Sequence, residues 1–237
     1  MQERRLLGRQ DLEASPVVAN CAMNRERDVT GTNGYGIELG VEPLEWLRQR
    51  LSRQRVVRWL DLCCGSGKAL IQAAEYCESA RDAVLASGVV QITGVDLVNM
   101  FLPNHSDSLR LIVSSVFDFT PGDRFDLITC VHGLHYLGDK LRAIALAGSW
   151  LEPDGMLIAN LDVKNMRLGE SQLGYQAFAR ALRAAGFQYD ARRHRLQRFG
   201  HVDWEPPFHF VGADDTVGPN YTGQPVVESV YVKLCPI

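Results

Sequence analysis

A glycine-rich turn between a predicted strand and a predicted helix constrains the fold of this chain more than any other feature. The segment reads Leu60-Asp61-Leu62-Cys63-Cys64-Gly65-Ser66-Gly67-Lys68. The apolar residues from Val56 onward predict a buried strand before the turn, and the apolar spacing of Lys68 to Ala80 predicts a helix after it. Glycine at such a turn lets backbone N–H groups approach a ligand at the start of the helix. We therefore expect a ligand site at the carboxyl end of this strand.

Predicted strands and helices alternate along the rest of the chain. Four more strands are expected at Val89–Asp96, Arg110–Ser114, Phe125–Val131 and Met156–Leu161, with helices at Asp139–Leu151 and Gln172–Ala185. Polar and apolar residues alternate over residues 189–234 in the pattern of antiparallel strands. Within them, we interpret Gly218–Pro225 as an ordinary hairpin loop. The alternation predicts an α/β fold with a doubly wound, mostly parallel sheet, whose ligands bind at the carboxyl ends of the strands.

The first 55 residues differ from the rest of the chain. Residues 20–40 are polar and rich in glycine, which predicts an irregular arm. Pro43 is expected to begin a helix with leucine and tryptophan on one face. We therefore expect two parts. Residues 1–55 form an arm and a helix that pack over the ligand site, and residues 56–237 form one compact domain.

The composition argues against several classes of function. The 25 basic and 28 acidic side chains give a net charge of −3, so the molecule as a whole does not attract nucleic acid or an anionic membrane surface. The six cysteines include no C-x-x-C pair, and no metal site is expected. The amino-terminal residues lack the apolar run of a signal peptide, and no apolar stretch approaches the ~20 residues of a membrane span. These features favour a soluble cytoplasmic protein.

Asp61 and the glycines after it carry a resemblance to a known family. A dinucleotide fingerprint, G-x-G-x-x-G, would need glycine at position 70, where leucine stands. The segment instead resembles D-x-G-x-G-x-G, the first motif of class I S-adenosylmethionine-dependent methyltransferases, with Cys63 in place of the first glycine. The resemblance implies that S-adenosylmethionine is the cofactor and that Asp61, Cys63, Gly65 and Gly67 bind it.

Further motifs extend the resemblance over residues 56–161 and imply a seven-stranded, Rossmann-like sheet. Gly94-Val95-Asp96-Leu97 is similar to the second-strand motif, whose acidic residue accepts hydrogen bonds from both ribose hydroxyls; a carboxylate suits a diol because it is an acceptor only. Ser115-Val116-Phe117 stands where the family contacts adenine, with Ser115 replacing the usual acid unless Asp118 takes that role. Phe125–Cys130 is similar to the fourth strand, and Leu151–Gly155 resembles the L-x-P-G-G turn. The cofactor-binding residues implied by these motifs are Asp96, Leu97, Ser115, Val116, Phe117 and Cys130.

The segment after the fourth predicted strand lies beside the transferable methyl group in this family, and here it contains His132 and His135. Histidine accepts a proton near neutral pH. His135 is therefore a candidate general base toward the acceptor, and His132 is a candidate to line the cofactor. We expect His135 to matter more for turnover than for cofactor affinity. In the arm, Tyr35 is a candidate to close over the methionyl group, and an arginine of Asn24-Arg25-Glu26-Arg27 is a candidate to bind its carboxylate.

Several classes of acceptor remain open at this stage. The chain lacks the N/D-P-P-Y/F/W motif of base-amino methyltransferases after the fourth strand and the Pro-Cys pair of pyrimidine-C5 enzymes. These absences favour an O- or N-methyltransferase of a small molecule, as in secondary metabolism. The alternatives are methylation of an RNA or a protein, a non-catalytic binding module with a methyltransferase fold, and a nicotinamide-dependent oxidoreductase. The sequence favours no oligomeric state.

Overall fold

The structure is a computed structural model that describes residues 5–19, 26–79, 82–169 and 174–234. It is organised around a central β-sheet. The strands are β1 (Val56–Leu62), β2 (Val89–Asp96), β3 (Leu109–Val113), β4 (Phe125–Cys130), β5 (Leu151–Asn160), β6 (Met166–Leu168), β7 (Gln188–Asp190), β8 (Arg195–Phe199), β9 (Phe208–Asp214) and β10 (Glu228–Lys233). The helices are α1 (Arg9–Glu13), α2 (Pro16–Ala19), α3 (Tyr35–Leu39), α4 (Pro43–Leu51), α5 (Lys68–Glu78), α6 (Ala83–Ser87), α7 (Lys140–Ser149) and α8 (Tyr175–Ala184). Within the described ranges, no helix is both long enough and apolar enough to cross a membrane.

Seven strands form the central sheet, in the order β3-β2-β1-β4-β5-β8-β7. The strands β1 to β5 are parallel, whereas β8 is antiparallel to β5 and β7 is antiparallel to β8. The predicted α/β fold with a mostly parallel, seven-stranded sheet is therefore confirmed. The chain proceeds outward from β1 through β2 to β3 and then crosses to β4, on the other side of β1. A crevice opens at such a switch point, outside the carboxyl ends of β1 and β4.

Helices cover both faces of the central sheet, because alternate residues of a strand point to opposite sides. Val57 and Trp59 of β1 pack with α4, α5 and α6 on one face. Leu60 and Leu62 pack with α7 and α8 on the other face. Burial on both faces explains why the sequence of this strand is apolar rather than alternating.

Two local predictions differ from the structure. The strand β5 begins at Leu151 rather than Met156, because Leu151 pairs with Phe125 and Met156 pairs with Leu127 across a shift in register. The predicted Leu151–Gly155 turn is therefore an irregularity within the strand, and such a position tolerates proline. The arm expected to be irregular contains α3, which ends at Gly40 with a positive φ of 67°. Residues 20–25 of the arm and residues 170–173, where the helix at Gln172 is expected to begin, lie outside the described residues.

A second sheet of three strands, in the order β6-β10-β9, is absent from the sequence prediction. The strand β9 is antiparallel to β10, in agreement with the predicted alternation, whereas β6 is parallel to β10 and too short to give a periodic signal. Leu7 extends this sheet, because its N–H donates to the Ala213 carbonyl at 2.8 Å and its carbonyl accepts from the Ala213 N–H at 2.9 Å. This bridge attaches the amino-terminal segment, and with it α1, to the second sheet.

Candidate active site

A cavity of about 330 Å³ lies at the carboxyl ends of β1 to β4. Its wall comes from the glycine turn after β1, the end of β2 and the segments that follow β3 and β4. The helices α1 and α2, the strand β9, two residues of the arm and two residues of the 218–225 loop also contribute to the wall. Among the described residues, no group of three or more His, Cys, Asp or Glu side chains could hold a metal ion. The cavity occupies the crevice that the strand order creates.

The structure brings most of the predicted site residues into this wall. Those that line the cavity are Tyr35, Cys63, Gly65, Asp96, Leu97, Ser115, Val116, Phe117 and His132. Four others lie outside the wall: Asp61, Gly67, Cys130 and His135. The roles of all these residues toward a ligand remain predictions.

The glycine turn adopts the left-handed backbone conformation at three positions. The φ angle is 56° at Cys63, 62° at Gly65 and 74° at Gly67. Glycine adopts such angles without steric cost, whereas a residue with a Cβ atom is strained there. A Cβ atom at Gly67 would also lie 3.1 Å from side-chain atoms of Leu111. The backbone geometry therefore explains the glycine spacing and identifies Cys63 as a strained position.

Cys63→Gly is expected to be more stable than Cys63→Ala by about 1 kcal/mol, because only glycine removes the strain of a positive φ at this position. The alanine variant is the matched control, since it loses the thiol but keeps the Cβ atom. Urea denaturation of both variants measures the difference. Equal free energies of unfolding would contradict the strain interpretation.

Asp96 is the last residue of β2 and orders the glycine turn. Its Oδ2 accepts a hydrogen bond from the Gly65 N–H at 2.9 Å, and its Oδ1 accepts one from the Val98 N–H at 3.0 Å. The residue is buried, and it lines the cavity. A carboxylate accepts several hydrogen bonds at once. The same group can therefore fix the turn and contact a ligand that carries hydroxyl donors.

Asp61 belongs to a buried hydrogen-bond network behind the cavity wall. The Trp59 indole donates to Thr129 Oγ1 at 2.8 Å, and the Thr129 hydroxyl donates to Asp61 Oδ1. The Tyr35 hydroxyl donates to Asp61 Oδ2 at 2.6 Å. Burial raises the pKa of Asp61 to about 7, even though these hydroxyl donors lower it. The acidic residue of the first motif thus anchors Tyr35 of the arm to β1.

The wild type is expected to lose stability between about pH 4 and pH 7, and Asp61→Asn should remove this loss. Because the folded pKa of Asp61, about 7, exceeds its unfolded value, the folded state holds the extra proton in this range, and the stabilisation is lost as pH rises. Asparagine resembles the protonated side chain and does not titrate. Urea denaturation at pH 5 and pH 7.5 should therefore show the variant gaining stability relative to the wild type at the higher pH. A difference that is the same at both pH values would contradict the raised pKa.

His132 lines the cavity and is held by the arm. Its backbone is left-handed, with φ of 57°, and its N–H donates to Asn160 Oδ1 at 3.2 Å. Its Nε2 lies 2.9 Å from Glu38 Oε2, and this contact lowers the pKa of the Glu38 carboxyl. Glu38 also forms an ion pair with Arg27, which lines the cavity. Of the arginines considered for a ligand carboxylate, Arg27 is therefore in the wall, whereas Arg25 lies outside the described residues.

His135 is buried outside the cavity wall, at 1% exposure. Its Nε2 lies 3.3 Å from the Tyr221 hydroxyl, and the Tyr221 ring stacks on His194 with a centroid distance of 3.7 Å. Burial holds the pKa of His135 well below its ordinary value. Tyr221 of the 218–225 loop packs against the imidazole of His135, and the role of His135 toward an acceptor stays a prediction.

The helix α1 brings charged side chains to the end of the cavity next to β3. Glu13 Oε1 accepts a hydrogen bond from the Ser115 hydroxyl at 2.6 Å and another from Arg9 Nε at 3.1 Å. The Arg9 guanidinium lies 5.3 Å from the centre of the Phe117 ring. Asp118 also pairs with Arg9 but is exposed and lies outside the cavity wall. The Ser115 hydroxyl thus holds the carboxylate of Glu13 at this end of the cavity.

Sequence reasoning misses several parts of the wall, and two of them contribute polar side chains from distant segments. The first is α1, which contributes Arg9, Leu12 and Glu13; a helix of five residues is too short to show a periodic pattern. The second is the loop 218–225, which contributes Thr222 and Gln224. Its interpretation as an ordinary hairpin loop is therefore incomplete. Its many polar and aromatic residues are the signal that could have indicated a role at the site.

Several solved methyltransferase structures are similar to this chain. CalS10, an amino pentose methyltransferase from Micromonospora echinaspora, is 25% identical over 49% of this chain and 48% of its own, with a TM-score of 0.36. The sugar N-methyltransferase KedS8 from Streptoalloteichus is 22% identical over 49% of this chain and 46% of its own, with a TM-score of 0.35. The N-methyltransferase NodS from Bradyrhizobium japonicum is 17% identical over 77% of this chain and 98% of its own, with a TM-score of 0.43. The chain spans about half the length of CalS10 and KedS8.

A comparison with curated protein sequences gives no match. A family model described as a methyltransferase domain matches residues 38–200, which is more than half of the 237 residues. The match includes the glycine turn, Asp96 and the segment after β4. It begins within α3 and ends just after β8, so it covers the central sheet. The chain therefore belongs to the methyltransferase domain family.

Proposed function

We propose that this chain transfers the methyl group of S-adenosylmethionine to an oxygen or nitrogen nucleophile of a small molecule. The observation that carries the proposal is the position of Asp96 and the left-handed Cys63–Gly65 turn in the wall of one cavity. A buried carboxylate at a strand end suits a ribose diol. A glycine turn before a helix suits close approach by a polar ligand. Membership in the methyltransferase domain family supports the same activity.

The chemistry of the wall fits S-adenosylmethionine. Asp96 offers acceptor oxygens for the ribose hydroxyls, and Val116 and Phe117 offer apolar and aromatic surface for the adenine ring. Arg27 offers a cation for the methionyl carboxylate. The cofactor supplies a methyl group that its sulfonium already activates. The task left to the protein is to hold an acceptor in line with that methyl group.

The position of His132 in the cavity wall supports a contact of this histidine, rather than His135, with an acceptor. It lies in the same wall as Thr222 and Gln224 of the loop, whereas Tyr221 packs against His135. Glu38 fixes the imidazole of His132 through its Nε2 atom. We therefore assign His132 a role in positioning the acceptor, and the role of His135 as a general base would require the loop to move.

His132→Asn is expected to lower kcat by about tenfold, the usual effect of one lost hydrogen bond to a charged or polar partner. Asparagine suits this position because it tolerates a positive φ. His135→Asn is the comparison variant, with kcat measured per folded enzyme on the same acceptor, and it should change kcat less. A larger loss in His135→Asn would instead favour the base role predicted from the sequence.

The segments that enclose the cavity favour a small acceptor over a macromolecule. The helix α1 and the 218–225 loop both contribute to its wall, and such a cover limits access to a long polymer. The net charge of −3 offers no general attraction for RNA. Methylation of a protein and a non-catalytic binding role remain the alternatives.

Calorimetry of the wild-type protein with S-adenosylmethionine, S-adenosylhomocysteine and NAD tests the cofactor. Binding of both adenosyl compounds without binding of NAD would support the proposal, whereas the reverse pattern would refute it. Incubation with S-adenosylmethionine and fractionated small-molecule extract then tests catalysis through release of S-adenosylhomocysteine. Binding without release under any fraction would favour the non-catalytic role.

A further inference from the structure

The carboxylate of Glu13 in α1 has one oxygen, Oε2, that no hydrogen bond from the described residues reaches. Both of its hydrogen bonds, from Ser115 and from Arg9, end on Oε1. Within the described parts of the chain, no hydrogen bond ends on Oε2. The side chain is 22% exposed and lines the cavity. An acceptor-only group in a cavity wall favours an occupant that offers a hydrogen-bond donor at this end.

The position of Glu13 relative to Asp96 indicates which end of a nucleoside would lie there. Asp96 pairs with Val113 across β2 and β3, and its carbonyl accepts from the Ser114 N–H at 2.9 Å. Ser115, the partner of Glu13, is the next residue. A ribose held by Asp96 would therefore have Glu13 on its β3 side, away from the β4 side where His132 stands. We therefore expect the base, rather than the ribose, to lie beside Glu13.

The surroundings of Glu13 favour a flat aromatic donor. Arg9 lies 3.1 Å from Glu13 and also pairs with Asp118, so charges of both signs are present at this end of the cavity. Phe117 lines the cavity beside Arg9 and Arg142, whose guanidinium groups lie 5.3 Å and 5.7 Å from the centre of its ring. Its aromatic side chain suits a planar heterocycle.

We propose that Glu13 recognises the adenine ring by accepting a hydrogen bond from its exocyclic amino group. The inference rests on the proposed function, since it names a determinant of cofactor specificity in the same cavity. The Ser115 hydroxyl and Arg9 orient the carboxylate through Oε1, and Oε2 receives the amino group. The helix α1 then contributes to the cofactor site as well as enclosing the cavity.

Calorimetry with two ligands tests this role. S-adenosylhomocysteine carries the amino group, and S-inosylhomocysteine carries an oxo group in its place. The wild type should prefer the adenosyl compound by about tenfold or more, because the oxo group cannot donate to a carboxylate. Glu13→Gln should weaken binding of the adenosyl compound by about tenfold and bring the ratio of the two affinities toward one. The ratio does not depend on the fraction of folded protein.

Asp118→Asn is the matched control, because Asp118 shares Arg9 as a partner but is exposed and does not line the cavity. It should leave the ratio of affinities unchanged. A wild type that binds S-adenosylhomocysteine, together with a Glu13→Gln variant that keeps the wild-type ratio, would overturn this inference alone. Loss of the ratio in Asp118→Asn instead would also overturn it. A wild type that does not bind S-adenosylhomocysteine would overturn the proposed function as well.

Discussion

Asp96→Ala is expected to weaken binding of S-adenosylhomocysteine by about a hundredfold or more. The proposed role of Asp96 is to accept hydrogen bonds from two ribose hydroxyls, and each lost bond to a charged group lowers affinity by about tenfold or more. The variant also loses the bonds that hold the Gly65 and Val98 N–H groups, so the turn is less well ordered for binding. Calorimetry or equilibrium dialysis measures the change.

A buried acid away from the cavity provides the control. Asp126 is buried, accepts hydrogen bonds from Arg50, Gln54 and the Arg58 N–H, and does not line the cavity. Asp126→Asn should lower stability but leave the affinity of the folded protein unchanged. Affinity that stays within a few-fold of the wild type in Asp96→Ala, at equal folded fraction, would refute the ribose assignment and with it the main support for the cofactor.

Lys140→Met is expected to lower the free energy of unfolding by about 3–5 kcal/mol, because three acceptors, two of them buried, would lose their donor. Lys140 is fully buried at the start of α7. Its ammonium donates to the carbonyls of Leu137 and Val227 and to Ser229 Oγ, each at 2.8 Å. These bonds attach α7 to the start of β10 and the residue before it. Urea denaturation measures the loss, with exposed Lys164→Met as the control that should change stability little.

The same lysine gives stability a dependence on pH. Burial lowers the pKa of Lys140 to about 7, whereas an unfolded lysine titrates near ~10.4. Between these values the unfolded state binds the extra proton, so this group makes stability rise with pH. The difference in stability between the wild type and Lys140→Met should therefore be larger at pH 9 than at pH 6.5. An equal difference at both pH values would contradict the lowered pKa.

The parts of the cavity wall that the sequence locates depend on local geometry. The turn at Gly65 and Gly67 needs a left-handed backbone, and Asp96 stands at the end of a strand with a clear apolar pattern. Such features produce a recognisable residue pattern within a short segment. The central sheet follows from the same kind of signal, because buried parallel strands are apolar along their length.

The parts that the sequence does not predict depend on contacts between distant segments. Ser115 contacts Glu13, which lies more than a hundred residues away in the sequence. No local sequence pattern predicts such a contact. The prediction for His135 illustrates a different difficulty. Two histidines three residues apart would share one face of a regular helix, but His132 has a left-handed backbone and precedes a 3-10 turn. The chain therefore changes direction between them, and only His132 enters the wall.

The pairing of Leu7 with Ala213 bears on which segments could be exchanged between relatives. It links the segment that contains α1 to β9, the strand that precedes the 218–225 loop. Both segments also contribute to the cavity, while the central sheet holds Asp96 and the glycine turn. A chimera that receives only one of the two segments would join residues of two different proteins across this pairing and in the cavity wall. The amino-terminal segment and the 218–225 loop should therefore be exchanged together, with the central sheet left unchanged.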